Sequence, residues 1–387
     1  MPDASEAAYQ IVFLDWLACA VRGAQEPAAR AARAAGDGLL ELVTALGTAG
    51  HALDYDDTYL PGLAHLSAPT APAALALGAE LDADVGGVLD AYAAGFEAMG
   101  AVARASHPAL YDAGWHPTAA LGGVGAATAA ARLLGLDGER ERSAVALSLL
   151  RAGGLRAAFG SDAKALQVGM AASAGVQSAL AAAEGASVDL DRVATGEAGF
   201  EQVFGAALAD PSPAGAAIER NWIKAYPCCL QTHGSIDAAL AVRDSGLSET
   251  ARIEVAVHPV SRQAAPLDDP LTGLEAKFSI AYLTAFTLLY GPPDTESFAE
   301  PDPQARAVAA ERVTVRTDRG LLESEAVLYV DGTEAARIEA ALGSPERPMD
   351  QAALNAKVTS LAGERLDGVL DDPTAPAGTV LEALGLN

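Results

Sequence analysis

AALGGVGAATAAARLLGL, residues 119–136, is the stretch that decides the fold class. Up to Arg132 it is almost entirely Ala, Gly and other apolar residues, with none of the alternation of a half-buried strand. Ala gives up no side-chain entropy in a helix, so the stretch predicts a helix that its neighbours can approach closely. It is too short and too weakly hydrophobic to span a bilayer. The same texture recurs in IVFLDWLACAV (11–21), GVLDAYAAGFEAMGAVARA (87–105) and VGMAASAGVQSALAAAEG (168–185), so residues 9 to about 225 read as helical. From about 250 the pattern changes. RIEVAVHPV (252–260), RVTVRTD (312–318) and EAVLYVDGTEAARIEAAL (325–342) carry Val, Ile and Tyr at strand spacing, the last with a DG turn. AKFSIAYLTAFTLLYG (276–291) reads as a buried helix between them, and after GSPERPMD (343–350) helix returns in QAALNAKVTSLAGERL (351–366). The expected fold is mainly α. A large all-helical domain, 1–226 plus 348–387, carries a smaller inserted α+β lid domain, 227–347. No internal repeat is visible.

The charge balance excludes some functions. Fifty-one acidic residues against 25 basic ones give a net charge of −26. That argues against nucleic acid and against an anionic membrane surface as partners. Only four of the basic residues are lysines: Lys164, Lys224, Lys277 and Lys357. An acidic, lysine-poor surface suits a high-salt interior. Three cysteines (Cys19, Cys228, Cys229) give no disulfide framework, and MPDASEAAYQ lacks the basic start and apolar run of a signal peptide. A cytoplasmic location is expected. No GxGxxG follows a strand, and GxxxxGK[ST], GxSxG and HExxH are absent.

Five motifs could carry chemistry. HALDYDDT (51–58), followed by His65, would place Asp54 and Thr58 on one helical face at i,i+4; the blander alternative is a cap and a solvated acidic turn. GWHPT (114–118) puts His116 at a helix start, either meeting an anion or merely capping. FGSDAK (159–164) delivers Lys164 before a small-residue helix, in a chain that scarcely spends lysine on its surface. KAYPCCLQTH (224–233) suits a hinge. Its adjacent cysteines with His233 fit zinc poorly, since zinc ligands are usually spaced by two or more residues. In AKFSIAY, Lys277, Ser279 and Tyr282 sit among apolar residues, either as a site or as core with a snorkelling lysine. Three of four lysines and four of six histidines fall in these motifs, which points to one polyanion-binding cavity.

The order HALDYDDT, His-x-Ser-Ala-Pro, GWHPT before an Ala-rich helix, FGxxxK, KxYPCCxxTH, AKFSIAY resembles the MmgE/PrpD family over about residues 9–380. That group includes 2-methylcitrate dehydratase, cis-aconitate decarboxylase and iminodisuccinate epimerase. The resemblance implies a helical domain with an α+β lid, a homodimer, no metal or organic cofactor, and a small polycarboxylate substrate bound between domain and lid. It places Asp54, Thr58, His65, His116, Lys164, His233 and Tyr282 in the pocket. Two departures stand out: His65 is followed by Leu66 where Pro is usual, and Leu166-Gln167 stands where the family often has Leu-His. The expected reaction is that of a hydro-lyase on a citrate-like hydroxy acid, with epimerase or decarboxylase as alternatives and a non-catalytic binding protein behind them. His116, Lys164, Asp54, His233 and Tyr282 are the expected catalytic residues, with Thr58, His65 and Lys277 binding substrate. His116 is the first choice of base because imidazole titrates near neutrality.

Overall fold

In the computed structural model, residues 4–208 and 215–385 are described. The helices of eight residues or more run in chain order as α1 (Ala4–Gly23), α2 (Leu39–Ala52), α3 (Ser67–Glu80), α4 (Val85–Ser106), α5 (Pro117–Leu133), α6 (Gly138–Leu149), α7 (Ala163–Ala183), α8 (His233–Arg243), α9 (Ile280–Tyr290), α10 (Pro303–Arg312), α11 (Gln351–Ala362) and α12 (Ala377–Leu384). The fold is mainly α, as its composition predicts. The chain divides into two compact units, 159–161 with 224–349 forming the second and the rest the first. No helix among the described residues is long and apolar enough to cross a membrane.

The first unit is built around α5. Residues Pro117 to Ala131 are all buried, with α3, α4, α6 and α7 packed against it. Small residues make that possible. A methyl group on Gly175 of α7 would sit 2.5 Å from Ala126 Cβ, and one on Gly169 would sit 2.2 Å from the Thr44 carbonyl oxygen of α2. Helix axes this close exclude long side chains, which accounts for the Ala/Gly bias of the sequence. Asp84 and Asp137 cap α4 and α6 by accepting the N–H groups of Gly87 and Arg140. One element was not legible in advance: β1 (Thr58–Tyr59) pairs antiparallel with β2 (Asn221–Trp222) inside this helical unit.

The second unit holds a four-stranded sheet ordered β4 (Val313–Thr317), β3 (Ile253–Val257), β5 (Ala326–Val330), β6 (Thr333–Ile338). β3 runs parallel to β4 and antiparallel to β5. Asp331 and Gly332 have φ of 48° and 82°, the doubly left-handed turn that joins β5 to β6 as the DG pair predicts. α8 and α9 pack on this sheet, and Ser279 caps α9 through the Tyr282 N–H.

All four lysines are buried. Lys357 on α11 pairs with Asp15 on α1 at 2.7 Å, donates to the Tyr55 carbonyl at 2.8 Å, and lies 4.0 Å from the Tyr55 ring centroid. Burial works against its charge, but Asp15, Cys19 and Tyr55 together outweigh that and hold the ammonium more firmly protonated than in water. Asp57 is buried as well, and its carboxyl is pushed up to about 7, first by burial and then by the charge of Asp56. Since an unfolded aspartate titrates near 3.8, the folded protein holds the extra proton between the two values, and rising pH through that window costs stability.

Two stability measurements follow. Lys357→Met strands Asp15 in the core and is expected to cost about 3–5 kcal/mol in denaturant unfolding; a loss below about 1 kcal/mol would contradict the buried-pair assignment. Asp57→Asn is expected to leave stability nearly unchanged at pH 4 and to raise it by on the order of 2–4 kcal/mol at pH 8. A gain independent of pH would show that folding does not raise the pKa of Asp57.

Candidate active site

The turn after α2 organises the site. The helix stops at Ala52, and Asp54 adopts φ 53°. A left-handed backbone costs a non-glycine residue about 1–2 kcal/mol, least for Asp and Asn. This corrects the expected i,i+4 pairing of Asp54 with Thr58. The polar run DYDD has no apolar periodicity to continue the helix, and Thr58 opens β1 instead. The turn sends Asp54 toward Lys164 and Asp56 into the core.

Asp56 is fully buried and accepts from two imidazoles. His51 Nδ1 lies 2.9 Å from its Oδ2, and His65 Nδ1 lies 3.1 Å from the same oxygen. The two rings meet edge to face, with centroids 4.4 Å apart. Thr58 Oγ1 is 3.4 Å from His65 Nδ1, and Thr118 Oγ accepts the His65 backbone N–H at 3.0 Å. Because both Nδ1 atoms are directed at Asp56, the Nε2 atoms face the other way. His51 Nε2 is 2.8 Å from Lys164 Nζ, and His65 Nε2 is 3.7 Å from Asp54 Oδ1. Lys164 Nζ in turn lies 3.3 Å from Asp54 Oδ1. His116 begins α5, but its side chain does not cap the helix. Its ring lies nearly parallel to that of His51 at 5.8 Å, with Nδ1 2.7 Å from Gln167 Nε2.

Burial opposes charge on Asp56, yet the facing His51 and His65 outweigh it and hold the carboxylate well below the usual range. His51 is lowered, chiefly by burial and with Lys164 assisting against Asp56. His116 is lowered well below the ordinary imidazole value by burial, then Lys164, His51 and His65. The cluster thus keeps Asp56 charged near two imidazoles, His51 and His116, that resist protonation.

Asp54, Thr58, His65, His116 and Lys164, all named from sequence, converge in the first unit. His51, Asp56 and Gln167 join them and were not named as site residues. His51 and Asp56 lay in the quoted motif, five residues apart, a spacing that does not share a helical face. Gln167 lies three residues after Lys164 on α7, a spacing that does. His233, Lys277 and Tyr282 belong to the second unit. There His233 is buried, with its ring 5.0 Å from Tyr226 and Nε2 3.4 Å from the Cys228 carbonyl oxygen. The Tyr282 hydroxyl accepts the Asp302 N–H at 2.9 Å, and burial raises its pKa. Lys277 Nζ lies 5.0 Å from the Phe298 ring centroid, and the Lys277 carbonyl accepts the Cys229 N–H. The CCxxTH segment and the AKFSIAY segment are therefore neighbours within that unit.

His51, Asp56 and His65 could also offer one ligand atom each to a cation, all within 4.8 Å of one another. Their hydrogen bonds already account for those atoms, and Lys164 places a competing ammonium 2.8 Å from His51. A cavity of about 560 Å³ lined by Leu150, Arg192, Phe200 and Phe204 contains none of the histidine cluster.

Residues 43–211 match the MmgE/PrpD N-terminal domain, and residues 226–372 match the MmgE/PrpD C-terminal domain. Human cis-aconitate decarboxylase is 28% identical over 352 residues, covering 83% of this chain and 72% of that protein. The mouse cis-aconitate decarboxylase is 29% identical over 275 residues, 65% of this chain and 55% of that one. A cis-aconitate decarboxylase-like protein of Aspergillus oryzae is 30% identical over 234 residues, 52% and 47% of the two chains. With both halves matched and the buried histidine–lysine–carboxylate cluster falling within the first, the chain belongs to the MmgE/PrpD family.

Proposed function

We propose that the protein is a lyase acting on a small tricarboxylate of the cis-aconitate kind, releasing one carboxylate as CO2. The observation that carries this is the buried convergence of His51, His65, His116 and Lys164 around two aspartates. Relatives named cis-aconitate decarboxylase support the substrate class.

The chemistry needs an electron pair to be left on carbon as the C–C bond breaks, and a proton to be delivered there. Pre-oriented donors in a water-poor site stabilise the charge that develops. Lys164, held by Asp54 and His51, and His116 at the start of α5 would engage the carboxylates that remain. His51 and His65, both anchored on Asp56, would keep fixed orientation while protons move among them. Asp54 would act through Lys164 rather than on substrate.

A second reading, a hydro-lyase on a citrate-like hydroxy acid, uses the same groups and adds proton delivery to a leaving hydroxyl. The Gln167 departure favours keeping it in view, because that residue touches His116 directly. Incubation with cis-aconitate, citrate and methylcitrate separates the two: evolved CO2 supports the decarboxylase, and an absorbing alkene from the hydroxy acids supports the hydro-lyase. Release of neither would end both.

Lys164→Ala and Asp54→Asn are expected to lower kcat/KM by about 10²-fold or more, with Asp54→Asn tolerating the left-handed turn and keeping the fold. Near-normal turnover in both would remove the cluster from the reaction. Binding of a polyanion should also raise the depressed pKa values of His51 and His116, so it should take up protons. Calorimetry of tricarboxylate binding in buffers of different ionisation enthalpy is expected to show net uptake near pH 7 and tighter binding as pH falls toward 6. Zero uptake would mean the imidazoles do not meet the ligand.

A further inference from the structure

Gln167 is tied down independently of its histidine neighbour. Its Oε1 accepts the Leu155 backbone N–H at 3.0 Å, and its Nε2 donates to the Leu155 carbonyl at 3.3 Å. Turning the amide over would set N–H against N–H and oxygen against oxygen, so the backbone of Leu155 dictates which end faces His116. That end is the NH2 group, 2.7 Å from His116 Nδ1. The same strand of loop is fixed to His116 by a second bond, since the His116 backbone N–H donates to the Gly154 carbonyl at 3.0 Å. Gly154 has φ 108°, and a Cβ there would lie 2.5 Å from Ala119 Cβ and 3.1 Å from Gln167 Oε1. Loop, amide and imidazole are thus locked together.

An Nδ1 that faces an N–H donor must present its lone pair. The neutral ring then carries its proton on Nε2. We propose that Gln167 is a positioning residue that fixes His116 as the Nε2–H tautomer, making His116 a hydrogen-bond and proton donor to a substrate carboxylate or to the carbon that loses CO2, and not the proton-abstracting base. This use of the donor rests on the lyase reading above; the tautomer itself does not. It replaces the expectation that His116 is the base. Protonating Nδ1 would set two N–H groups against each other, so the same contact also resists formation of the imidazolium. The charged and titratable groups acting on the ring include Lys164 on α7, His51 on α2, and His65 and Asp54 after it. Of these Lys164, His51 and His65 also oppose a positive charge there, while Asp54 favours it.

The test is tautomer-resolved NMR of the full chain labelled with 15N-histidine, without ligand, with the His116 signals identified by their loss in His116→Asn. The wild type is expected to show the neutral Nε2–H pattern at pH 7.5. Gln167→Glu supplies an acceptor in place of the donor, so it should convert His116 to an Nδ1–H or doubly protonated ring and raise its titration midpoint by more than one pH unit. Gln167→Leu should leave a mixture of tautomers. An Nδ1–H or imidazolium pattern in the wild type would overturn the proposal even if no variant folds, as would a Gln167→Glu spectrum identical to the parent. Where cis-aconitate is turned over, the acid limb of kcat/KM should move up in pH with Gln167→Glu, an effect that general loosening of the fold would not give. A chain that shows the expected tautomer but turns over no tricarboxylate would keep this assignment and discard the lyase.

Discussion

The carboxylate of Asp56, accepting from His51 and His65 inside a bundle of Ala and Gly helices, is the constraint on which the first unit is built. A charge so placed survives only while its partners stay put. Those partners are held by the end of α2, by β1 and the turn after it, and by Thr118 at the start of α5. Because Asp56 takes both Nδ1 atoms, the Nε2 atoms face outward from it, toward Lys164 and Asp54. One buried hydrogen-bond acceptor therefore sets the direction of two imidazoles, and through them the place of an ammonium.

Much of this was legible in the chain, for reasons that are physical. Ala/Gly-rich runs favour close-packed helices, and a DG pair between two strand-like segments has few options besides a two-residue hairpin turn. The lysines stood out because the rest of the chain avoids them, and the structure buries every one. The same scarcity also pointed in one case to framework: Lys357 serves Asp15 and Tyr55 at the join of α11 and α1.

What was not legible depended on where a helix ends. Asp54 and Thr58 fall at helical spacing, but the left-handed residue at Asp54 breaks the register, and only three-dimensional packing reveals which aspartate of DYDD turns inward. His51 lies on the last turn of α2 and Asp56 beyond the break, so no periodicity couples them. Gln167 is a different case. It stands on the face of α7 that carries Lys164, and it gives His116 a partner that cannot titrate.

The burial of all four lysines has a chemical corollary. The cationic surface is carried by arginine, whose guanidinium is a poor nucleophile at neutral pH, while every side-chain amine is shielded inside the fold. Reagents that acylate amines would find the folded side chains closed to them and the unfolded ones open. Lysine labelling on this protein would therefore act as a clock for opening of the bundle, with Lys357 reporting on the contact of α11 with α1 and Lys164 on the site itself.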